Sequence, residues 1–567
     1  MLKCRLVNRE FNAIIQSSTM VQYYLACEAA GVIDNPQSSL SYAERLEALK
    51  KREDAWRKLK PVFEMTMDVG RCESWELTAG YYVRGTSQCL YHCQLPSSPQ
   101  DNVQWFRIPT HGPGQSQPGF MHLFGTAVSE HDLVVNVISS EVGNRADMQR
   151  HSLDLVLLKF STGEYHPLAH HPLIHVQRSP SKQPGATVRI LGDHLALVIH
   201  DEDGSKLFIF DWKTGHKRLQ HKATERAYRF SDPVFVSPEF LLVPNCILSQ
   251  FEVWHVPSHP NSNPPVQILS LQIPAVSEPY FIASIGCHGE LSPFLHSMPY
   301  FPSRPFFPSW ENSIIIINLH FYSESLPEPV RNRVYKLIMH RRALLDTIHK
   351  WTSPSLLEQE EGLSTWFTNE LTSELVSMVP HPGSSPRTRD SSSYSSISSG
   401  SVSSTSRYNV LQLRWADWGP PISRWIQLYG MAKHVRIDQF NSQRCVFVNP
   451  NPRDERKCIV YVADFNLHNV RKNAEMMAQL RGREGEGNGG NSNNGEGKKE
   501  ESEEELEILD HEGVFSEEVY MGLKCVVYQA PSEYGFDSVM MDDERLFVCK
   551  NKTYRILIER IRVLYFG

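Results

Sequence analysis

Four histidines, His166, His170, His171 and His175, crowd one short stretch, and four imidazoles are enough donors to hold a zinc ion. Structural zinc sites bring cysteines or a fixed spacing on a helix or turn, and neither is present, so the stretch reads as a surface loop. Cys89, His92 and Cys93 set a nucleophile type beside a base type. They fall in a run that reads as strand, where a four-residue step returns to the same face, so half-buried packing is the expectation. Gly485, Gly487 and Gly490 spell a phosphate-cradle pattern, but no strand leads into them and no helix follows directly. GxSxG, HExxH, P-loop and paired-carboxylate signatures are missing from any setting that would give them geometry. No catalytic residue, metal ligand or cofactor site is therefore expected, although β-rich enzymes can assemble sites from separate sheets.

The densest cluster of large side chains is Trp415, Trp418, Arg424 and Trp425. Tryptophan and arginine are frequent anchors at protein interfaces, which makes these four candidate substrate-binding residues. The competing role is to fill the gap between packed sheets.

The N-terminal residues suggest another kind of chemistry, docking. Leu2, Leu6, Val7, Phe11, Ile14 and Ile15 return to one side of a helix at 3.6 residues per turn, with Lys3, Arg5, Asn8, Arg9, Glu10 and Asn12 on the other. The spacing predicts an amphipathic helix over 1–16. Ser17, Ser18 and Thr19 can cap a second helix, and Gly31 can stop it near Ala30. Two short helices cannot bury a core alone, so their apolar face is covered either by a partner or by the rest of the chain.

Composition narrows the choice. The 567 residues are 41% hydrophobic and 10% aromatic, enough to bury a large core. Net charge is −7, and the stretch 481–510 contributes −6 of it, leaving a body near neutrality. No basic stripe is present to neutralise phosphates, which argues against nucleic acid. Eleven scattered cysteines, an odd number with no Cys-x-x-Cys pair, suit a reducing compartment. No apolar run approaches 18 residues, and no signal sequence follows Met1, so neither membrane nor secretion is expected and the compartment is cytoplasmic or nuclear.

Residues 42–63 carry Leu46, Leu49, Trp56, Leu59 and Phe63 at helical spacing among many charges, and read as a helical connector ending near Pro61 with a solvated charged face. From about Cys72 the period becomes that of strands. A polar turn precedes an apolar strand five times, at 133–138, 195–199, 240–243, 314–317 and 546–548. Further strands follow at 153–160, 206–212, 250–256, 333–339 and 552–558, with Thr162-Gly163 and Thr214-Gly215 as turn signals. Sheets of three or four strands recurring roughly every 45–50 residues predict a mainly β fold, a degenerate β-propeller of about seven blades. A tandem of β-sandwiches is the alternative. Two stretches interrupt the pattern, near 341–407 and 470–512. The first opens with helical patterns at 342–351 and 363–379 and then turns serine-rich; the second has a helical pattern at 470–481 before a Gly, Asn and Glu-rich run, and both compositions predict disordered insertions. The expected organisation is thus 1–35, a docking segment; 36–70, a connector; and 71–567, the propeller.

The run MLKCRLVNREFNAIIQSSTMVQYYL is similar to the second half of an F-box, with its Leu-Val-x-Arg-x-Phe core and Ile-rich end. Over its whole length the chain resembles fungal F-box proteins that join such a segment to a β-rich, propeller-like region, including AspTrpGlyPro at 417–420 and the stretch 462–470. The resemblance implies a substrate-receptor subunit of a Skp/cullin/F-box ubiquitin ligase. Leu2, Leu6, Val7, Phe11, Ile14 and Ile15 would bind the Skp adaptor, and the propeller would hold a protein substrate, transferring nothing itself. Two alternatives stay open: a non-catalytic propeller scaffold whose partial F-box does not engage the adaptor, and a propeller hydrolase or sugar-binding protein.

Overall fold

The computed structural model describes residues 8–70, 74–114, 119–142, 150–224, 226–258, 263–290, 304–327, 330–352, 410–428, 440–451, 453–485, 506–536, 538–549 and 560–567. Seven sheets of at least four strands dominate it. Blade 1 runs through Ser74–Thr78, Tyr81–Gly85, Cys89–Gln94 and Trp105–Pro109. Blade 2 follows with Phe120–Ala127, Leu133–Val142, Arg150–Lys159 and Leu173–Ser179, and blade 3 with Gly185–Leu191, His194–Asp201, Gly204–Asp211 and Lys217–Lys222. Blade 4 is Val234–Ser237, Phe240–Asn245, Gln250–His255 and Val266–Gln272, with Leu411–Leu413 added in parallel as a fifth strand. Blade 5 is Phe281–Gly289, Ile314–Tyr322, Asn332–His340 and Ser423–Leu428, and blade 6 Phe440–Asn441, Arg444–Asn451, Asp454–Asp464 and Val526–Tyr534.

Blade 7 closes the ring. Ser538–Met541, Arg545–Cys549 and Arg560–Tyr565 supply its first three strands, and Phe63–Asp68 pairs antiparallel with Arg560–Tyr565 as the fourth. The apolar interior confirms closure, because seven separate clusters occupy the seven gaps between neighbouring blades, the gap from blade 7 to blade 1 included. The chain is therefore a seven-bladed propeller with a small helical region.

Each blade buries both faces against its neighbours, which explains the sequence pattern. Second strands, such as Leu133–Val142 and Phe240–Asn245, are buried over most of their length and open with largely apolar runs. Fourth strands, such as Phe63–Asp68 and Lys217–Lys222, lie at the rim and alternate. The five predicted anchor strands are the second strands of blades 2, 3, 4, 5 and 7. Of the strands expected after them, 552–558 lies outside the described residues, and blade 7 continues instead with Arg560–Tyr565.

Three N-terminal helices precede the ring. Helix α1, Arg9–Ser17, is capped by the Asn8 side chain; α2, Thr19–Ala30, is capped by Ser18 and stopped by Gly31 at φ 66°. Helix α3, Tyr42–Lys58, begins with a reciprocal Ser41–Glu44 capping box. Two expectations need correction here. The connector's charges are not all solvated: Arg45 and Arg52 are buried, Arg45 donating to Asp34 at 2.7 Å and to the carbonyls of Asn35, Ser38 and Leu40. The connector also does not end at residue 70, since 63–68 already belongs to the ring. Helix 341–351 is present as expected, Arg341–Trp351; the second insertion's helix runs further, Leu467–Gly485, and the pattern at 363–379 lies outside the described residues.

Both insertions leave between the third and fourth strands of their blades, 5 and 6, and so emerge at one end of the ring. The helices sit at that same end. Val32–Asp34 pairs with Phe306–Pro308 of blade 5's first connection, and Trp56 of α3 stacks on Phe566 with ring centres 4.3 Å apart. No helix among the described residues is long and apolar enough to cross a membrane. Because Trp56 is fully buried between α3 and blades 6 and 7, Trp56→Ala should cost about 3–5 kcal/mol of stability. A urea midpoint within error of wild type would show that α3 is not part of the ring's core.

Candidate functional site

Helix α2 anchors the docking segment. Tyr23 and Cys27 pack with Leu49 of α3 and Phe306 of the ring, and the Tyr23 hydroxyl donates to the Pro305 carbonyl at 3.2 Å. Helix α1 folds back on α2, where the Gln22 amide donates to the Ile15 carbonyl at 2.8 Å. This arrangement splits the predicted stripe. Ile15 is buried within the chain's own helices, which corrects its assignment as an adaptor contact, whereas Phe11 and Ile14 face solvent at 51% and 61% exposure. Met20 and Tyr24 of α2 are exposed as well. Leu2, Leu6 and Val7 lie outside the described residues.

Below the helices a charged seam fixes them to blades 6 and 7. Glu53 bonds Arg52 at 3.0 Å and also bonds Arg444, which reaches Asp464 at 3.3 Å. Beside it Arg304 bonds Asp543 at 2.7 Å and Glu544 at 3.2 Å, while Arg545 bonds Asp542 and Glu544 at 2.9 Å each. Burial pushes the Asp542 carboxyl up to about 6 even with Arg545 against it. A crevice of about 360 Å³, open mouth included, lies between Ala30, Arg52 and Trp56 on one side and Gln443, Arg444 and Asp543 on the other. Its charged side chains are held in ion pairs that join the helices to the ring.

The tryptophan patch is corrected by the structure. Trp415, Trp418 and Trp425 are buried in the gap between blades 4 and 5, with ring centres 5.1 and 5.6 Å from Trp415. The Trp418 indole donates to the Gln272 carbonyl at 2.8 Å. Arg424, pointing outward, pairs with Glu507 at 3.0 Å. These large rings fill the wedge where the returning insertion meets the ring, so none of the three indoles is free to touch a substrate.

The remaining chemical candidates do not converge. His166 is buried, edge-on to Trp212 and bonded to the His131 carbonyl at 2.8 Å, whereas His170, His171 and His175 face solvent. Cys93 packs in the gap toward blade 7, and burial pushes its thiol up to about 12. His92 points to the opposite face of that strand, against Phe160, and burial brings it down to about 4. One constellation escaped sequence reasoning: Ser152, Asp154 and His175 meet on adjacent strands of blade 2. The Ser152 hydroxyl (3.1 Å) and Asp154 carboxylate (2.8 Å) both meet Nδ1 of His175, whereas a triad sets serine and carboxylate on opposite ring nitrogens.

Around the axis the inner strands carry polar groups that no linear motif marks. Thr126 of blade 2 donates to Glu76 of blade 1 at 2.9 Å. Thr187 of blade 3 donates to Asp232 at 2.8 Å, and Arg189 and His288 approach the same carboxylate at 3.9 Å each.

No family model matches the chain, and no curated protein does. Among solved structures it is similar to Hsv2 of Kluyveromyces lactis, at 11% identity over 47% of this chain and 73% of that one, with a TM-score of 0.24. It is also similar to a protein named as a 6-phosphogluconolactonase from Bacteroides fragilis, at 12% identity over 49% of this chain and 78% of that one, TM-score 0.26. The blade count and the axial polar chain rest on this molecule's own sheets. Burial pushes the Glu76 carboxyl up to about 7, whereas an unfolded glutamate titrates near 4.5. Stability from this group is fully present below 4.5 and is lost as the pH rises through 7. Glu76→Gln should therefore flatten the fall in urea midpoint between about pH 4.5 and 7; an unchanged slope would remove Glu76 from the titration.

Proposed function

We propose that the chain is an F-box-type substrate receptor of a Skp/cullin/F-box ubiquitin ligase, holding the Skp adaptor with its N-terminal helices and a protein client with its propeller. The observation that carries the reading is the solvent-facing pair Phe11 and Ile14, one helical turn apart on a helix that folds back on α2, which is itself packed on α3 and Phe306. Large apolar side chains held on a rigid support suit a partner helix, because little conformational entropy remains to be lost on binding.

In this reading the protein transfers nothing. It raises the effective concentration of a client lysine near the ligase's thioester, which is catalysis by tethering. The connector sets that distance as a fixed strut, because Trp56, Arg52 and Glu53 lock α3 against blades 6 and 7.

Phe11→Asp and Ile14→Asp test the proposal without disturbing the core, since both side chains are already exposed and their stability effect should stay within about 0.5 kcal/mol. Titration calorimetry with a purified Skp-type adaptor should show binding by the wild-type chain and at least a tenfold loss in either variant. Absence of wild-type binding would leave a propeller scaffold with no ligase role.

A further inference from the structure

The opposite end of the ring carries the links between blades and the hairpins joining second to third strands. Two of these lie side by side: the link 223–233 from blade 3 to blade 4, and the hairpin tip 246–249 of blade 4. Hydrogen bonds join them into one body. The Cys246 amide donates to the Ala227 carbonyl at 2.8 Å, the Ser231 hydroxyl to the Pro244 carbonyl at 2.8 Å, and the Cys246 thiol to the Arg229 carbonyl at 3.4 Å. Beneath them the buried Glu252 carboxylate accepts from the Tyr228 hydroxyl and the Asn245 amide at 2.7 Å each, and from the Trp254 indole at 3.2 Å. The Asn245 side-chain oxygen in turn accepts the amides of Ile247 and Leu248 and fixes the tip.

This rigid platform holds three large apolar side chains in water: Phe230 at 65% exposure, and Ile247 and Leu248 at 56% each. Phe230 sits at φ 56°, a left-handed conformation that a bulky residue adopts only at a cost and glycine adopts freely. The fold gains no buried packing from it; the Arg229 guanidinium lies 5.0 Å from its ring centre. Arg226 and Arg229 are exposed, and neither pairs with a carboxylate among the described residues. Three outward apolar groups beside two positive charges that pair with no described carboxylate are complementary to an acidic segment with an apolar anchor. A flat anionic membrane fits less well, because the exposed Glu202 and Asp203, at the tip of the blade 3 hairpin on the same end, would be pressed against it.

We propose that this platform is the client-binding surface of the ring, and that its ligand is an acidic peptide segment with one leucine- or phenylalanine-type anchor, seated on Phe230, Ile247 and Leu248 and paired to Arg226 and Arg229. The proposal rests on the receptor reading for the role of client, but not for the binding itself.

A displayed library of random twelve-residue peptides, panned on the full chain, is the test. Selected peptides should carry a large apolar residue flanked by Asp or Glu, and their affinity should fall at least tenfold in Phe230→Gly and in the double variant Arg226→Glu, Arg229→Glu. The melting temperature of Phe230→Gly should equal or exceed that of wild type, because the substitution relieves the backbone; this separates lost binding from lost folding. Failure to enrich such peptides, equal affinity in the variants, or preferential binding to vesicles containing phosphatidylserine would overturn the proposal. Adaptor titration on the same preparations keeps the two readings apart: peptide binding without adaptor binding overturns only the ligase, and adaptor binding without peptide binding overturns only this surface.

Discussion

Ring closure is the constraint on which the rest of the molecule depends. Phe63–Asp68 pairs with Arg560–Tyr565 over six residues in unbroken register, and the stack of Phe63 on Tyr565, with ring centres 4.8 Å apart, reinforces the joint. Without this strand blade 7 would have three strands and an open edge, and the cluster between blades 7 and 1 would lose Met65 and Met67 from its lining. Trp56 and Leu59, shortly before the strand, reach into the cluster between blades 6 and 7, while Met65 and Met67 of the strand line the cluster between blades 7 and 1, so helix and closing strand are anchored on the two faces of blade 7. The helical segment is therefore part of the ring's closure.

That closure also gives the molecule two distinct ends. One carries the helices, the charged seam and both insertions; the other carries the link and hairpin platform of blades 3 and 4. The seam is built of paired charges among buried residues, a type of contact that fixes geometry more than it adds stability. The platform is the reverse, a satisfied buried network around Glu252 supporting apolar side chains that face water.

Much of the fold was legible in the sequence because burial on both faces writes a strong signal. The second strands of blades 2 to 5, each an apolar run after a polar turn, were all readable, and Gly31, Ser18 and the insertions were readable from turn and composition chemistry. Rim strands were harder: Phe63–Asp68 alternates, but it is short and follows directly on a helix, so it read as connector. The role of the tryptophans was ambiguous because the same residue types anchor interfaces and fill wedges; only their burial decides. Arg45, Arg52 and Glu53 looked solvated because helical spacing does not reveal that a second body covers the charged face. The Phe230 platform was invisible because its parts come from two connections, and its one local signal, the apolar pair Ile247 and Leu248 between the turn residues Asn245 and Ser249, is indistinguishable from an ordinary hairpin.

The closing strand has a consequence for biosynthesis. Its Asp68 bonds Arg560, 492 residues later, so the strand leaves the ribosome first and receives its partner last. At about 5–20 residues per second that is a wait of roughly 25–100 seconds, during which an unpaired edge is available to any other strand nearby. The contacts of α3 with blades 6 and 7 form equally late, so a nascent chain of this design has to keep that edge from pairing elsewhere until Arg560–Tyr565 has emerged.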